Sequence, residues 1–365
     1  FNNGINATSL NGGQFGGRRN LIINGAMQVA QRGTSATVTT SGNSYDCIDR
    51  FSTFRNSSFT PDFTISQDTD SPENFSTSLK IDVNTAVTPT GSENFGVRYI
   101  VEGFDAVQTG LGTAESKQVT LSFYVKSNKT GTYGIQLYRY GSVTYSTTQS
   151  YTIDVADTWE KKELTFTAFT INNTPNVDNT LGIGIDFELS SGPDDIVAPF
   201  DWTAQSAART VTSQVNILDN TANYWQLTGV QLEVGDTATP FEHRSYGEEL
   251  ALCQRYYYRI QADEGSDVFG MGMNQNTSSQ QTIITFPVTM RTQPTALEQS
   301  GTASDYEIRQ RTGNRTCTSV PALEPTSRYT ARIVFFRSNG DLFTGEGTYS
   351  QSANGNAFLA WSAEL

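Results

Sequence analysis

The sequence predicts a mostly β protein, in which an antiparallel β-sandwich of the jelly-roll type is followed by one linking α-helix and a smaller C-terminal β domain. Three observations lead to this prediction. The 365 residues exceed what one ordinary core needs. Aromatic residues make up 11% of the chain, and its 31 glycines accompany many Thr, Ser and Asn residues, a composition that favours strands and turns. Long stretches alternate between apolar and polar residues with the period of a strand.

The alternation is clearest in two runs. In Val119–Lys126 every second residue is apolar, and in Leu181–Leu189 the apolar set is stricter still. Each run predicts a strand with one face in a core and the other facing solvent. Similar runs with turn residues between them favour two stacked antiparallel sheets over alternating strands and helices. The sandwich is expected over residues 34–245.

One helix interrupts the strands. Ser245 and Glu248 have capping-box spacing, and the residues that follow suit a helix, so we predict a linking helix over 246–259. A stripe with 4-3-4 spacing runs along it: Tyr246, Leu250, Cys253 and Tyr257. The stripe either packs on the protein's own sandwich or forms a seam between copies of the chain, which makes it a candidate trimer interface. Residues 260–365 are expected to form the C-terminal β domain, and residues 1–33 an extended connector.

Charge and cysteine content exclude several classes of function. The net charge is −13, which opposes binding to nucleic acid or to an anionic membrane by charge attraction. Without an apolar run of about 18 residues, membrane insertion is not expected either. Three widely spaced cysteines and one histidine do not suit a disulfide framework or the usual zinc sites.

A carbohydrate-binding surface needs aromatic faces to cover sugar rings, with amides or carboxylates beside them to bond hydroxyl groups. Candidates on the polar faces of predicted strands and in one loop are Tyr124, Gln136, Tyr138, Tyr140, Asp186, Glu188 and Trp202. If their strands are neighbours, the strand residues form one glycan-binding surface. The alternative interpretation is that the tyrosines are ordinary half-exposed strand residues and that Trp202 is a packed loop residue.

Catalytic groups are poorly represented. The paired carboxylates Asp194 and Asp195, Asp154 and Asp157, and Glu248 and Glu249 are close in sequence, but a glycoside hydrolase needs two carboxylates across a groove. His243 is interpreted as structural, and no nucleophile-elbow motif is present, so no enzyme activity is expected. No cofactor is expected, although oxygen ligands at Asp68 and Asp70 or at Asp194 and Asp195 leave a structural calcium ion open.

Several blocks of sequence resemble a module of tail fibres and related receptor-binding virion proteins of tailed bacteriophages. The opening block is Asn20–Gly33 with Tyr45–Phe51, the closing block is Trp225–Gly235 with Phe241–Tyr257, and Phe286–Arg291 is similar to a strand that opens the distal domain. The resemblance covers most of the chain from Asn20 to Pro294. It implies a jelly roll like those of carbohydrate-binding modules on a trimeric fibre. Leu227–Val230 lacks the aspartate often found there in such modules, which weakens the case for calcium.

The resemblance also sets the expected biology. We expect a homotrimeric tail-fibre protein of the phage virion, assembled in the host cytoplasm, that attaches to bacterial surface polysaccharide or lipopolysaccharide. The connector would join it to other tail proteins. A fibre or decoration protein on the phage head, and a polysaccharide-degrading tail spike, are the alternatives.

Overall fold

The computed structural model describes residues 18–39, 42–56, 59–171, 173–204 and 210–365. The chain divides into two compact units, one running up to Glu249 together with Leu365 and the other over Leu250–Glu364. Antiparallel strands dominate both units, so the predicted fold class is confirmed. In the described part of the chain, no helix is long and apolar enough to cross a membrane. Residues 1–17, the first half of the predicted connector, lie outside the described residues.

The first unit is built from fourteen strands within the described residues. In chain order they are β1 (Ser35–Val38), β2 (Phe51–Arg55), β3 (Phe63–Asp68), β4 (Ser78–Val83), β5 (Asn94–Glu102), β6 (Val119–Ser127), β7 (Gly131–Arg139), β8 (Tyr145–Ile153), β9 (Glu160–Phe166), β10 (Leu181–Ser191), β11 (Ile196–Val197), β12 (Thr203–Ala204), β13 (Thr210–Val211) and β14 (Tyr224–Val234). The short helix α1 covers Gly103–Ala106, and single 3-10 turns cover Val107–Thr109, Pro193–Asp195 and Ile217–Asp219.

Twelve of these strands form two six-stranded sheets around one core, and β11 and β13 form a separate two-stranded parallel sheet. Sheet 1 has the order β1-β3-β4-β14-β6-β9, and sheet 2 has the order β12-β8-β7-β10-β5-β2. The chain crosses repeatedly between the sheets, as in a jelly roll. The predicted inward faces are correct: the apolar residues of β6, from Val119 to Val125, and of β10, from Ile183 to Leu189, are fully buried. The period-two alternation therefore identified the core-facing residues of one strand in each of the two sheets.

The expected connector is wrong for residues 18–33, because this segment packs into the first unit. Leu21, Ile22, Met27 and Val29 are at most 2% exposed. The Asn20 side chain explains the placement: its amide donates to the carbonyl of Val230 at 3.1 Å, and its oxygen accepts from the amides of Ile22 and Leu232. A segment without strand pairing can be buried when its polar backbone groups are bonded in this way.

The second unit contains ten strands, and the helix before them begins at the end of the first unit's residues. The helix α2 covers Tyr246–Gln254, and the strands are β15 (Tyr257–Gln261), β16 (Val268–Asn274), β17 (Ser279–Thr285), β18 (Glu298–Gln299), β19 (Tyr306–Gln310), β20 (Gly313–Thr316), β21 (Ser319–Thr326), β22 (Thr330–Phe336), β23 (Gly347–Ser352) and β24 (Phe358–Ser362). A 3-10 turn covers Ala303–Asp305. The strands form a three-stranded sheet, β15-β24-β18, and a seven-stranded sheet, β20-β19-β23-β16-β17-β22-β21.

The linking helix is shorter than predicted. Ser245 Oγ accepts from the amide of Glu248 at 3.3 Å, as the capping box requires. The helix ends at Gln254 because the next aromatic residues have high strand propensity, and Tyr257 pairs with Ser362 of β24. Cys253 and Tyr257 are buried within the chain, whereas Tyr246 is 58% exposed. The stripe Tyr246, Leu250, Cys253 and Tyr257 is therefore not one helical face, so it does not offer the continuous helical seam that was the alternative to packing within the chain.

Two buried thiols make the fold sensitive to alkaline pH. Burial raises the pKa of Cys47 in the first unit and of Cys317 in the second to about 12. An unfolded thiol has a pKa near 8.5, so above that pH the unfolded chain loses protons that the folded chain retains. The free energy of unfolding therefore falls as the pH rises from about 8.5 towards 12.

We predict that raising the pH from about 8 to about 10.5 lowers the free energy of unfolding of the first unit by about 2 to 3 kcal/mol through Cys47 alone. Urea titrations at both pH values measure the change. Cys47→Ala should show a smaller fall than the wild type, whatever its stability at pH 8. Equal falls in the two proteins would contradict the role of this thiol.

Candidate functional site

The predicted glycan-binding residues divide between the outer faces of the two sheets. Tyr124 lies on β6 of sheet 1, whereas the other strand candidates lie on or just after β7 and β10 of sheet 2. On sheet 2 the register pairs Asp186 with Gln136 and Gly184 with Tyr138. The neighbouring strands thus bring most of the predicted residues together, but not with Tyr124.

The set on sheet 2 is not a surface, which corrects the prediction. Gln136, Asp186 and Glu188 are fully buried and Tyr138 is 1% exposed. Arg98 donates from Nε and Nη2 to the two carboxylate oxygens of Asp186, at 2.6 Å each. Burial lowers the pKa of Arg98, but the carboxylate of Asp186 outweighs it, so the pKa is raised overall. The carboxylate predicted to bind sugar is thus committed to a buried ion pair.

Two features cover this face. The amide of Gln214 donates to the main-chain oxygen of Glu188 at 3.1 Å, so the segment after β10 returns over the sheet. Tyr140, which is half-buried, stacks on Tyr138 with ring centroids 6.0 Å apart.

Trp202, in the same returning segment, stacks on Phe169 at 4.8 Å and donates its indole N–H to the carbonyl of Thr167. Trp202 is therefore a packed loop residue, as the alternative interpretation held.

Sheet 1 carries an open cleft of about 540 Å³ on its outer face. Four rings contact one another there. Phe75 lies 5.4 Å from Tyr124, 5.0 Å from Phe241 and 5.3 Å from His243, measured between ring centroids, and Phe241 and His243 lie 4.8 Å apart. Tyr124, Phe75 and Phe241 are half-buried and His243 is exposed, so ring surface is available to a ligand. We name this group of four rings the aromatic cleft.

A bulge in β14 makes room for the aromatic cleft. The pairing of β14 with β6 shifts between Thr228 and Gln231, and Gly229 there has a φ of +62°. A Cβ atom at Gly229 would stand 2.7 Å from Phe75 Cζ and 2.9 Å from Tyr124 Cδ2. Only glycine both tolerates this left-handed backbone and lets the two rings approach the strand.

Polar groups line the same cleft. They are Glu73, Asn74, Ser122, Lys161 and Thr239. Lys161 stands opposite Tyr124 on β9 and forms an ion pair with Glu163 at 2.6 Å. Aromatic faces beside charged and neutral hydrogen-bonding groups are the combination that a sugar requires. The cleft therefore has the chemistry expected of a glycan site, in a place where only Tyr124 was predicted.

The sequence contained part of the signal for the cleft. Phe241 and His243 alternate within the closing block of the resemblance, and Lys161 falls on the solvent face of β9. Phe75 carried no such signal, because it lies in the loop between β3 and β4.

The carboxylates considered for catalysis have other partners. Asp154 forms an ion pair with Lys162 at 3.3 Å, and Asp157 accepts a hydrogen bond from the hydroxyl of Tyr224 at 2.5 Å. Burial, with a further contribution from Asp157, raises the pKa of Tyr224. His243 contacts Phe75 and Phe241 in the aromatic cleft. Asp154 and Asp157 are therefore bonded to protein groups, and His243 belongs to the aromatic cleft.

Three of the four aspartates considered for calcium have protein partners. Asp70 contacts Lys126 Nζ at 2.6 Å, Asp68 lies 3.8 Å from Lys80 Nζ, and Asp195 accepts from Asn94. Among the described residues, no group of three or more His, Cys, Asp or Glu side chains is placed to hold a metal ion.

The chain is similar in structure to several carbohydrate-binding modules. The CBM22-1 xylan-binding domain of Paenibacillus barcinonensis is 10% identical with a TM-score of 0.29, covering 63% of this chain and all of that domain. The tandem CBM22-1–CBM22-2 domains of the same enzyme give 10% identity and a TM-score of 0.30, covering 98% of this chain and all of theirs. A family 11 module of a Clostridium thermocellum cellulase gives 12% identity and a TM-score of 0.27, covering 57% of this chain and all of that module.

Identities and TM-scores this low do not identify a ligand for this chain. No protein-family model matches the sequence. No curated protein matches it either.

We predict that Gly229→Ala lowers the free energy of unfolding of the first unit by about 1 to 2 kcal/mol, from left-handed strain and displaced rings. Thermal unfolding and the near-ultraviolet circular dichroism of the rings measure the effect. Gly247→Ala is the matched control, because a Cβ there would meet nothing within 4 Å. Unchanged ring signals in Gly229→Ala would contradict the proposed role of the bulge.

Asp186→Ala should destabilise the first unit by about 3 to 5 kcal/mol, because it leaves the Arg98 guanidinium without its carboxylate in a largely buried place. Glu163→Ala, which removes an exposed partner of Lys161, should change stability by less than about 1 kcal/mol. Urea denaturation compares the two variants. A stable Asp186→Ala protein would show that this ion pair does not hold the outer face of sheet 2 together.

Proposed function

We propose that this chain is a tail-fibre protein of a tailed bacteriophage that attaches to host-cell surface glycans through the aromatic cleft. The observation that carries the glycan part is the group of Phe75, Tyr124, Phe241 and His243 beside Lys161 and Glu73 in one open cleft.

The chemistry of the cleft suits a sugar better than an apolar ligand. Sugar rings present C–H groups on their faces, which pack on aromatic rings, and hydroxyl groups at their edges, which need donors and acceptors. The wall offers both: Tyr124 and Phe241 supply ring faces, and Ser122, Glu73 and Lys161 supply polar atoms.

The openness of sheet 1 also favours the aromatic cleft over the outer face of sheet 2, which carries most of the residues predicted from the sequence. On sheet 2 the tyrosine and carboxylate groups are already bonded to protein partners and covered, so binding there would require the returning segment to leave. On sheet 1 the rings are accessible without a rearrangement, which keeps the free-energy cost of binding low.

The phage part of the proposal is supported by the sequence blocks that resemble tail-fibre proteins. The opening and closing blocks come together in the structure: Arg244 Nη2 donates to the carbonyl of Asn20 at 2.7 Å, and the amide of Asn20 donates to Glu242 at 2.8 Å. The opening block and the closing block up to Glu249 therefore belong to one structural unit. The proposal includes assembly as a homotrimer, attachment to other tail proteins through the N-terminal segment, and binding without hydrolysis.

The proposal predicts that Tyr124→Ala and Phe241→Ala each weaken binding of host surface polysaccharide about fivefold or more, the equivalent of one lost aromatic contact. Isothermal titration calorimetry with purified polysaccharide, and adsorption of labelled protein to host cells, measure binding. Tyr329→Ala, an exposed tyrosine in the second unit, is the control and should bind as the wild type does.

Two results would count against this assignment. If both ring variants adsorb as well as the wild type, the aromatic cleft is not the binding site. If the purified protein shortens the polysaccharide, as shown by new reducing ends, the depolymerising tail-spike alternative is favoured over a binding protein.

A further inference from the structure

The second unit exposes an apolar stripe on the outer face of its seven-stranded sheet. Met271 is 71% exposed, Ile283 65%, Met273 55% and Tyr349 44%. Such side chains are uncommon together on a solvent-facing sheet, where polar residues normally alternate with the core. We name these four residues the apolar stripe.

The register places these residues side by side on three adjacent strands. Met271 of β16 pairs with Tyr349 of β23. On the other side Gly272 pairs with Thr282 of β17, so Ile283 stands beside Met271. Met273 follows two residues along β16, on the same face. The stripe is therefore one continuous patch across the middle of the sheet.

Charges of both signs border the stripe. Tyr349 pairs with Arg309 of β19, and Ile283 pairs with Arg332 of β22, so an arginine stands at each end of this row. Glu307 lies two residues from Arg309 on β19, and Glu324 forms an ion pair with Arg332 at 3.1 Å. A neighbouring copy can therefore place its glutamates beside these arginines.

Net charge favours association through this unit. Residues 250–364 contain nine Arg and no Lys against ten Asp and Glu, a net charge of −1, whereas residues 1–249 contain fifteen Lys and Arg against twenty-seven Asp and Glu. Two copies of the first unit repel each other, while two copies of the second unit do not.

The geometry points to the apolar stripe as the surface through which copies of this chain associate. This inference rests on the assembly part of the proposed function and assigns it to the apolar stripe, in place of the helical seam that the sequence left as an alternative. Around a three-fold axis the stripes of three copies can face one another, so Met271 and Ile283 of one copy would lie against the stripes of its two neighbours. Burial of these side chains supplies the driving force, and the bordering charges set the orientation.

The test compares the oligomeric state of the full chain and its variants by light scattering after size-exclusion chromatography at micromolar concentration. Met271→Asp and Ile283→Asp should each weaken association about 10-fold or more, because a charge would be buried against apolar side chains. Tyr329→Asp, an exposed residue outside the stripe, is the control and should leave association unchanged. Circular dichroism establishes that each variant is folded.

A cysteine variant tests direct contact without a large change in the surface. The three native cysteines are buried. In the Met271→Cys variant, the new thiol is therefore the one among the described residues that is accessible to solvent. Mild oxidation should link copies through this residue, and the control Tyr329→Cys should not link them.

The outcomes separate the two levels of the proposal. A wild-type chain that is monomeric overturns both the stripe and the homotrimer. An oligomer that withstands Met271→Asp and does not cross-link at Met271→Cys overturns the stripe alone. A monomeric Met271→Asp protein that still binds polysaccharide through the aromatic cleft supports the stripe and keeps assembly distinct from recognition.

Discussion

The first unit depends on a buried set of bonds that joins residues 20–24 to residues 244–249. Arg244, whose side chain is 5% exposed, donates to the carbonyls of Asn20 and Ile22 and pairs with Glu249 at 3.2 Å. Glu249 in turn accepts from the amide of Asn24. Without these partners the backbone of 20–24 would be buried with unbonded groups, which is strongly unfavourable. The bonds explain how a segment with no strand can form part of the core.

The same segment shapes the surface that is proposed for glycan binding. Gly25 approaches β14 so closely that a Cβ there would stand 2.1 Å from the carbonyl of Val230, and Val230 donates its amide to Gly25. This contact lies at the β14 bulge, one residue from Gly229, over which Phe75 and Tyr124 pack. The closing bonds, the bulge and the aromatic cleft therefore form one continuous arrangement.

The outer faces of the two sheets differ because a chain segment covers sheet 2 and leaves sheet 1 open. Sheet 2 is overlaid by the segment that follows β10, so its polar residues became a bonded network around Arg98 and Asp186. Sheet 1 remains open and carries rings that contact solvent. In the second unit, an open sheet face carries apolar residues with balanced charges. Recognition and assembly are thus proposed for different units, and a variant in one need not disturb the other.

The sequence by itself determined the fold class and the inward face of the strands. Strict alternation in β6 and β10 has a period of two, and since a strand places successive side chains on opposite faces, the core residues follow directly. The capping box at Ser245 likewise located the start of α2. These features depend on neighbours in sequence and on the hydrophobic effect, which acts on each strand in the same way.

Only the tertiary structure decided what happens on the outward faces. Asp186 and Tyr138 alternate as solvent-facing residues would, but a segment distant in sequence covers them, and alternation contains no information about such a cover. Phe75 reaches the aromatic cleft from a loop, and Tyr257 leaves the predicted helix because Ser362, more than 100 residues away, provides a strand partner. Long-range pairing and burial set these outcomes, and both depend on which elements meet in space.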